Sequence, residues 1–218
     1  PLLEKPVLKT AKMEEIIEEE ELSKIALVGL NNAGKTSIKK VFFDNWTTDF
    51  VRDIRPTIGV EITRKFQQFI RQRFVIADFG GQVVYRKQHS KRKDLWKRLS
   101  AMIFVVDLQD QESFTAARDY LRDIWSVVKK VNKVQPKLSI FLHKYDMSRR
   151  EELEVNIREC MESFRDFEKI SSFHLTTIED NSANIAMIKT LYFSLPRVML
   201  RRMFEQEFLD YFEKEVLA

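Results

Sequence analysis

Between residues 24 and 194, short apolar runs alternate with longer stretches whose apolar residues recur at helical spacing. Lys24–Val28 (KIALV) is an apolar run ending at Gly29, the pattern of a strand buried on both faces. A helix is predicted over Lys35–Phe43. Glu61–Phe69 and Arg73–Asp78 read as two consecutive strands with Arg71-Gln72 as the turn between them. Ala101–Asp107 (AMIFVVD) and Leu138–Leu142 (LSIFL) are further buried runs, and Phe173–Thr176 is a last short one. Helical stretches fall near 112–131, 149–168 and 183–194. After Pro196, Met199, Met203, Phe208 and Phe212 return at helical spacing, a packing face for this domain or for a partner helix. Strands alternating with helices predict an α/β domain, with a mainly parallel six-stranded sheet covered by helices on both faces. The expected layout is an arm over 1–22, a core domain over 23–195 and a helical extension over 196–218.

Composition narrows the class. Charged residues at 32% and hydrophobic ones at 44% fit a folded soluble domain. No apolar run approaches the roughly 18 residues of a membrane span, and the N-terminal residues lack the basic flank of a signal peptide. Cys160 is the only cysteine, so neither a disulfide framework nor a cysteine metal cluster is available, and a reducing, cytoplasmic setting is expected. Mid-helix, it reads as a small buried apolar residue. His89, His143 and His174 show no metal-ligand spacing. The net charge of +4 is uneven, because residues 1–22 hold three lysines and seven glutamates. With 37 basic against 33 acidic residues, nucleic acid is not an expected partner. Glycine is scarce: five in the chain, all between Gly29 and Gly81, so each is expected to serve a backbone need.

Those glycines sit in the candidate chemistry. Gly29-Leu30-Asn31-Asn32-Ala33-Gly34-Lys35-Thr36 matches the phosphate loop G-x-x-x-x-G-K-[ST], with an apolar strand before it and a helix after it. Backbone N–H groups over Asn31, Asn32, Ala33, Gly34 and on to Ser37 would curl around phosphate oxygens at a helix N-terminus. Lys35 would reach the outer phosphates, and the Thr36 hydroxyl would serve Mg²⁺. Asp78-Phe79-Gly80-Gly81-Gln82 follows at a strand end. There Asp78 can support the metal, Gly81 can offer its N–H to a γ-phosphate, and Gln82 can orient an attacking water. Thr57, in Arg55-Pro56-Thr57-Ile58-Gly59, is either a second metal hydroxyl or a surface loop threonine. His143-Lys144-Tyr145-Asp146 follows LSIFL and is either a polar turn or a base-recognition site. As the latter, Asp146 accepts from the two donors of a guanine edge, which adenine lacks, and the Lys144 stem lies along the base. The turn Thr176-Thr177-Ile178-Glu179-Asp180 can present backbone N–H groups to the guanine oxygen.

This set, in this order, resembles the small GTPases of the Ras-like superfamily over roughly residues 22–195. GLNNAGKTS, PTIGVE, DFGGQ and IFVVD are similar to the Arf-type branch. HKYD in place of Asn-Lys-x-Asp, and LTTIED in place of a Ser-Ala-Lys loop, are similar to the Rag/Gtr branch. The resemblance implies a G domain of the P-loop NTPase class that binds GTP or GDP with Mg²⁺ and hydrolyses GTP slowly. Gln82, Lys35, Thr57 and Gly81 would then be catalytic, and Thr36, Thr57 and Asp78 would serve the metal. It also implies effectors and regulatory proteins as partners, and a homo- or heterodimer. Rag proteins carry a second, dimerising domain, and only residues 197–218 follow here. Pro1 in place of an early glycine, and no C-terminal cysteine motif, leave covalent membrane anchoring unexpected. No arginine is identifiable as a built-in finger, although Arg52 and Arg55 lie in the switch-like loop.

Tyr85–Arg98 carries seven Lys/Arg against one acid, with Trp96 looking exposed. It reads either as a solvated helix face or as a surface over 86–98 for an acidic partner or anionic membrane. Two rival functions stand beside a hydrolysing switch: a passive module that holds GTP or GDP permanently, and a P-loop ATPase or kinase.

Overall fold

Along the first strand, Ile25 and Leu27 turn to one side and Ala26 and Val28 to the other, and all four are fully buried. That double burial places the strand at the centre of a sheet with a core on each face. The computed structural model describes residues 22–195 except 52, 53, 69 and 71. The acidic arm up to residue 21, the extension from 196 and Arg52 lie outside the described residues.

The strands are β1 (Ser23–Gly29), β2 (Val60–Gln67), β3 (Gln72–Phe79), β4 (Leu99–Asp107), β5 (Lys137–His143) and β6 (Ser171–Thr176). They form one six-stranded sheet in the order β2-β3-β1-β4-β5-β6. Only the β2–β3 pair is antiparallel; every other neighbour is parallel. The helices are α1 (Lys35–Asp44), α2 (Thr48–Val51), α3 (Val83–His89), α4 (Phe114–Val131), α5 (Arg150–Ser163) and α6 (Ser182–Ser194).

One core gathers Ile38 and Phe42 of α1 with Met187 and Leu191 of α6 beneath Ile25 and Leu27. The other gathers Leu121 and Ile124 of α4 with Leu153 and Cys160 of α5 over Ala26 and Val28. In α4 the buried stripe Phe114, Ala117, Leu121, Ile124, Val128 keeps the spacing of one helix face. The expected α/β sheet with helices on both faces is therefore the observed fold. In such a sheet the C-terminal strand ends open onto a crevice between crossovers, where ligands bind.

Two local expectations are corrected. The β2–β3 ladder runs until Gln67 faces Gln72, so Gln72 opens a strand rather than making the turn. Trp96 is not exposed: it has no accessible surface and stacks on Phe79 at 4.3 Å and 9°. Its indole N–H donates to the His89 carbonyl at 2.8 Å. Lys93–Trp96 is a 3₁₀ turn that drives Leu95 and Trp96 inward while Lys93 and Lys97 stay in solvent. Among the described residues, no helix is long and apolar enough to cross a membrane.

Candidate functional site

The C-terminal ends of β1, β3 and β5 open into one cleft of about 640 Å³. The loop 30–34 enters α1 through Gly34, whose φ of +92° suits glycine. A side chain there would also meet the His143 ring, because an added Cβ would sit 2.4 Å from its Cδ2. Phosphate loop and base-end strand are thus in contact. Lys35 is buried and donates to the Leu30 carbonyl at 2.6 Å. Burial pulls its pKa down to about 8, against the opposing pull of the Asp78 carboxylate. The N-terminus of α1 adds partial positive charge to the same place.

Three separate segments converge beside Lys35. Thr36 Oγ1 donates to Asp78 Oδ2 at 2.8 Å and lies 2.9 Å from Thr57 Oγ1. Thr57 Oγ1 donates to the same Asp78 oxygen at 3.2 Å. The other oxygen, Asp78 Oδ1, is buried with no hydrogen-bond partner. Two hydroxyls and an unsatisfied carboxylate oxygen are the hard oxygen donors that suit Mg²⁺, so these residues fit that ion. Among the described residues, no group of three or more His, Cys, Asp or Glu side chains could hold a metal. Any divalent ion here would therefore take much of its shell from phosphate and water.

The loop after β3 closes over the phosphate loop. At Gly81 an added Cβ would lie 2.2 Å from both Asn31 N and Leu30 C, so only glycine permits this approach. Gly80 N–H donates to the Gly59 carbonyl at 2.8 Å, tying that loop to the one carrying Thr57. Gln82 starts α3, its carbonyl accepting from the N–H groups of Tyr85 and Arg86. It is half-buried and is not among the residues lining the cleft, whereas Arg55 is.

At the other end, Lys144 adopts φ +63° and its ammonium pairs with Asp107 Oδ2 at 2.5 Å. Asp146 accepts from the Thr177 hydroxyl at 2.6 Å on Oδ1 and from the Gln109 amide at 2.8 Å on Oδ2. Thr177 N–H is taken by Ser182 Oγ at 2.9 Å, and Glu179 N–H by Thr177 Oγ1 at 3.1 Å. Ile178 lines the cleft between them. His143 is buried, with Nδ1 at 3.0 Å from Thr176 Oγ1, and burial lowers its pKa to about 4, so it is neutral at pH 7.

Of the residues singled out from sequence, Asn31, Asn32, Gly34 to Ser37, Thr57, Gly81, His143, Lys144, Asp146 and Ile178 line the cleft. Asp78 and Thr177 stand behind the lining, and Ala33 is buried in the core beneath it. Glu179, in the turn singled out from sequence, also lines the cleft, and sequence reasoning missed Gln109. Gln109 lies just past the end of β4, and that position alone was a usable signal, since parallel sheets present ligand contacts there.

Strand order, phosphate loop and cleft together are those of a P-loop GTPase G domain. Residues 24–199 match the family model described as the Gtr1/RagA G protein conserved region. The chain belongs to the Gtr1/RagA G protein family. It is 29% identical over 188 residues to GTP-binding protein gtr2 of Schizosaccharomyces pombe, covering 80% of this chain and 56% of that protein. It is 28% identical over 192 residues to human Ras-related GTP-binding protein C, covering 80% and 45%. ADP-ribosylation factor-like protein 8d of Arabidopsis thaliana is 31% identical over 106 residues, 47% of this chain and 53% of that protein. The chain spans about half the length of the curated relatives it matches. Both branches of the sequence resemblance therefore recur among its relatives.

Proposed function

We propose that this chain binds GTP and GDP with Mg²⁺, hydrolyses GTP slowly and acts as a nucleotide-dependent switch. The observation that carries this reading is the meeting of Thr36, Thr57 and Asp78, from three segments, at one carboxylate oxygen. Thr57 is held beside the phosphate loop by Thr36 and Asp78, an arrangement that a bound triphosphate would favour and its hydrolysis would release. Lys35 would exchange its bond to the Leu30 carbonyl for the outer phosphates, and Gly81 N–H would face the γ-phosphate. Asp146 would accept from the guanine edge, with the Ile178 N–H directed at the base oxygen. Mg²⁺ would neutralise charge that develops on the phosphates. Its supporting residues here are Thr36, Thr57 and Asp78. Effectors and regulators would read the closed and open loops. Dimerisation and the cytoplasmic, membrane-peripheral setting expected from sequence belong to the same proposal.

A second reading is favoured by one observation: Gln82 lies outside the cleft lining, its carbonyl committed to α3. A domain that holds GTP without turning it over would need no glutamine at the phosphates. Two measurements test both. Chromatography of nucleotide released from the purified protein should yield GDP or GTP, and an adenine nucleotide instead would overturn the guanine assignment. Single-turnover assays should then release phosphate slowly, at a rate raised by a supplied activating protein. Nucleotide retained with no phosphate release under either condition selects the passive module.

A further inference from the structure

Lys39 is a lysine with 1% of its surface exposed, one turn along α1 from Lys35. Its ammonium lies 2.9 Å from Glu61 Oε2 and 3.2 Å from Asp78 Oδ2. Those two acids are direct cross-strand partners, Glu61 of β2 opposite Asp78 of β3. Two carboxylates facing each other across an antiparallel pair repel, and a buried ammonium is tolerated only when its charge is answered. Each problem resolves the other, and the group of three carries one net negative charge. Asp78 Oδ2 then collects Lys39, Thr36 and Thr57, which leaves Oδ1 as the oxygen without a partner.

We propose that Lys39 is a built-in cation at the metal-supporting carboxylate. It lowers the affinity of the nucleotide site for Mg²⁺ and so lessens the dependence of nucleotide retention on the ion. The inference rests on the proposed binding of guanine nucleotide with Mg²⁺. Its physical content is charge: the ammonium offsets part of the negative potential that a divalent ion would otherwise meet at Asp78. Glu61 sets how strongly it does so. The Glu61 side chain is 47% exposed, and it draws the ammonium away from Asp78 by the shorter of the two contacts. Removing Lys39 and removing the charge of Glu61 must therefore act in opposite directions. A purely structural role for Lys39 would produce no such opposition.

The test is release of a fluorescent GDP analogue from the full chain as free Mg²⁺ is titrated down with chelator. Wild type is compared with Lys39→Gln and Glu61→Gln, and folding is verified by thermal melting. Lys39→Gln should lower the half-saturating Mg²⁺ by about tenfold or more, and Glu61→Gln should raise it several-fold. Equal half-saturation in all three proteins, or shifts of the same sign, would overturn the inference. If Lys39→Gln does not fold, Lys39→Met takes its place, because the Glu61→Gln shift alone would also follow from loss of that carboxylate's own charge. Failure of the wild type to bind the GDP analogue at all would instead overturn the proposed function, and this inference with it.

Discussion

Gln109 donates its amide to Asp146 Oδ2 at 2.8 Å and to the Lys144 carbonyl at 3.0 Å, so a residue beyond β4 aims a carboxylate beyond β5. Arg149 in turn donates to Gln109 Oε1 at 2.8 Å, which fixes which end of the amide faces Asp146. Asp146→Ala should reduce guanine-nucleotide affinity on the order of 10²-fold or more and collapse discrimination against adenine. Gln109→Ala leaves the carboxylate in place but loosely aimed, and should cost about three- to tenfold for GDP. Equilibrium competition between GDP and ADP reads both effects, and unchanged selectivity in Asp146→Ala would remove Asp146 from base recognition.

What the sequence made legible divides by distance along the chain. Lys35, Thr36 and Gly34 act within one continuous loop, so their spacing alone announces phosphate chemistry. Gln109 acts through the β4–β5 register that sets Asp107 opposite His143, a non-local pairing that no local pattern prints. Lys39 likewise reads as an ordinary charge beside Lys40 until β2 places Glu61 next to Asp78. Trp96 reads as exposed because basic neighbours dominate its segment, while the turn that buries it is only four residues long. The strands were legible because double burial leaves unbroken apolar runs.

Gly81 tolerates no side chain in the closed arrangement, where a Cβ would lie 2.4 Å from the Leu30 carbonyl oxygen. Gly81→Ala should keep GDP affinity within a few-fold of wild type while losing the closed form with a non-hydrolysable GTP analogue. Limited proteolysis in the two nucleotide states measures this. Protection by the analogue equal to that of wild type would show that the loop closes by another route.

Acid should destabilise the protein through its histidines. The pKa of His143 is lowered by burial from an ordinary 6.5 to about 4, and the positive charge of Lys144 adds to the shift. The unfolded chain therefore binds a proton between these values that the folded chain refuses. The associated stability is fully present above pH 6.5 and is lost as pH falls towards 4. For His143, 2% exposed, this amounts to about 3 kcal/mol across that window. Burial lowers His89 and His174 to about 4 as well, so their contributions share its sign. Urea denaturation at pH 4.5 and 6.5 should show the loss. His143→Asn should shallow the slope by one proton, and an unaltered slope would contradict the assignment.

Asn132 follows α4 and binds three backbone groups at once. Its amide donates to the Trp96 and Val128 carbonyls at 2.8 and 2.9 Å, and its oxygen accepts from Leu99 N–H at 3.1 Å. Asn132→Ala would strand the buried Leu99 N–H and Trp96 carbonyl, and should cost about 2–4 kcal/mol of stability. Chemical denaturation measures the loss directly, and a change below about 1 kcal/mol would show that water replaces the side chain.

The stack of Trp96 on Phe79 has an optical consequence. Phe79 directly follows Asp78, and the indole N–H holds the last residue of α3, the helix that Gln82 begins. An indole bound at both points senses any shift between the end of β3 and α3 as a change in its surroundings. With Trp46 and Trp125 replaced by Phe, emission from Trp96 should differ between the GDP-loaded protein and the protein loaded with a GTP analogue, a label-free readout of the proposed switch in real time.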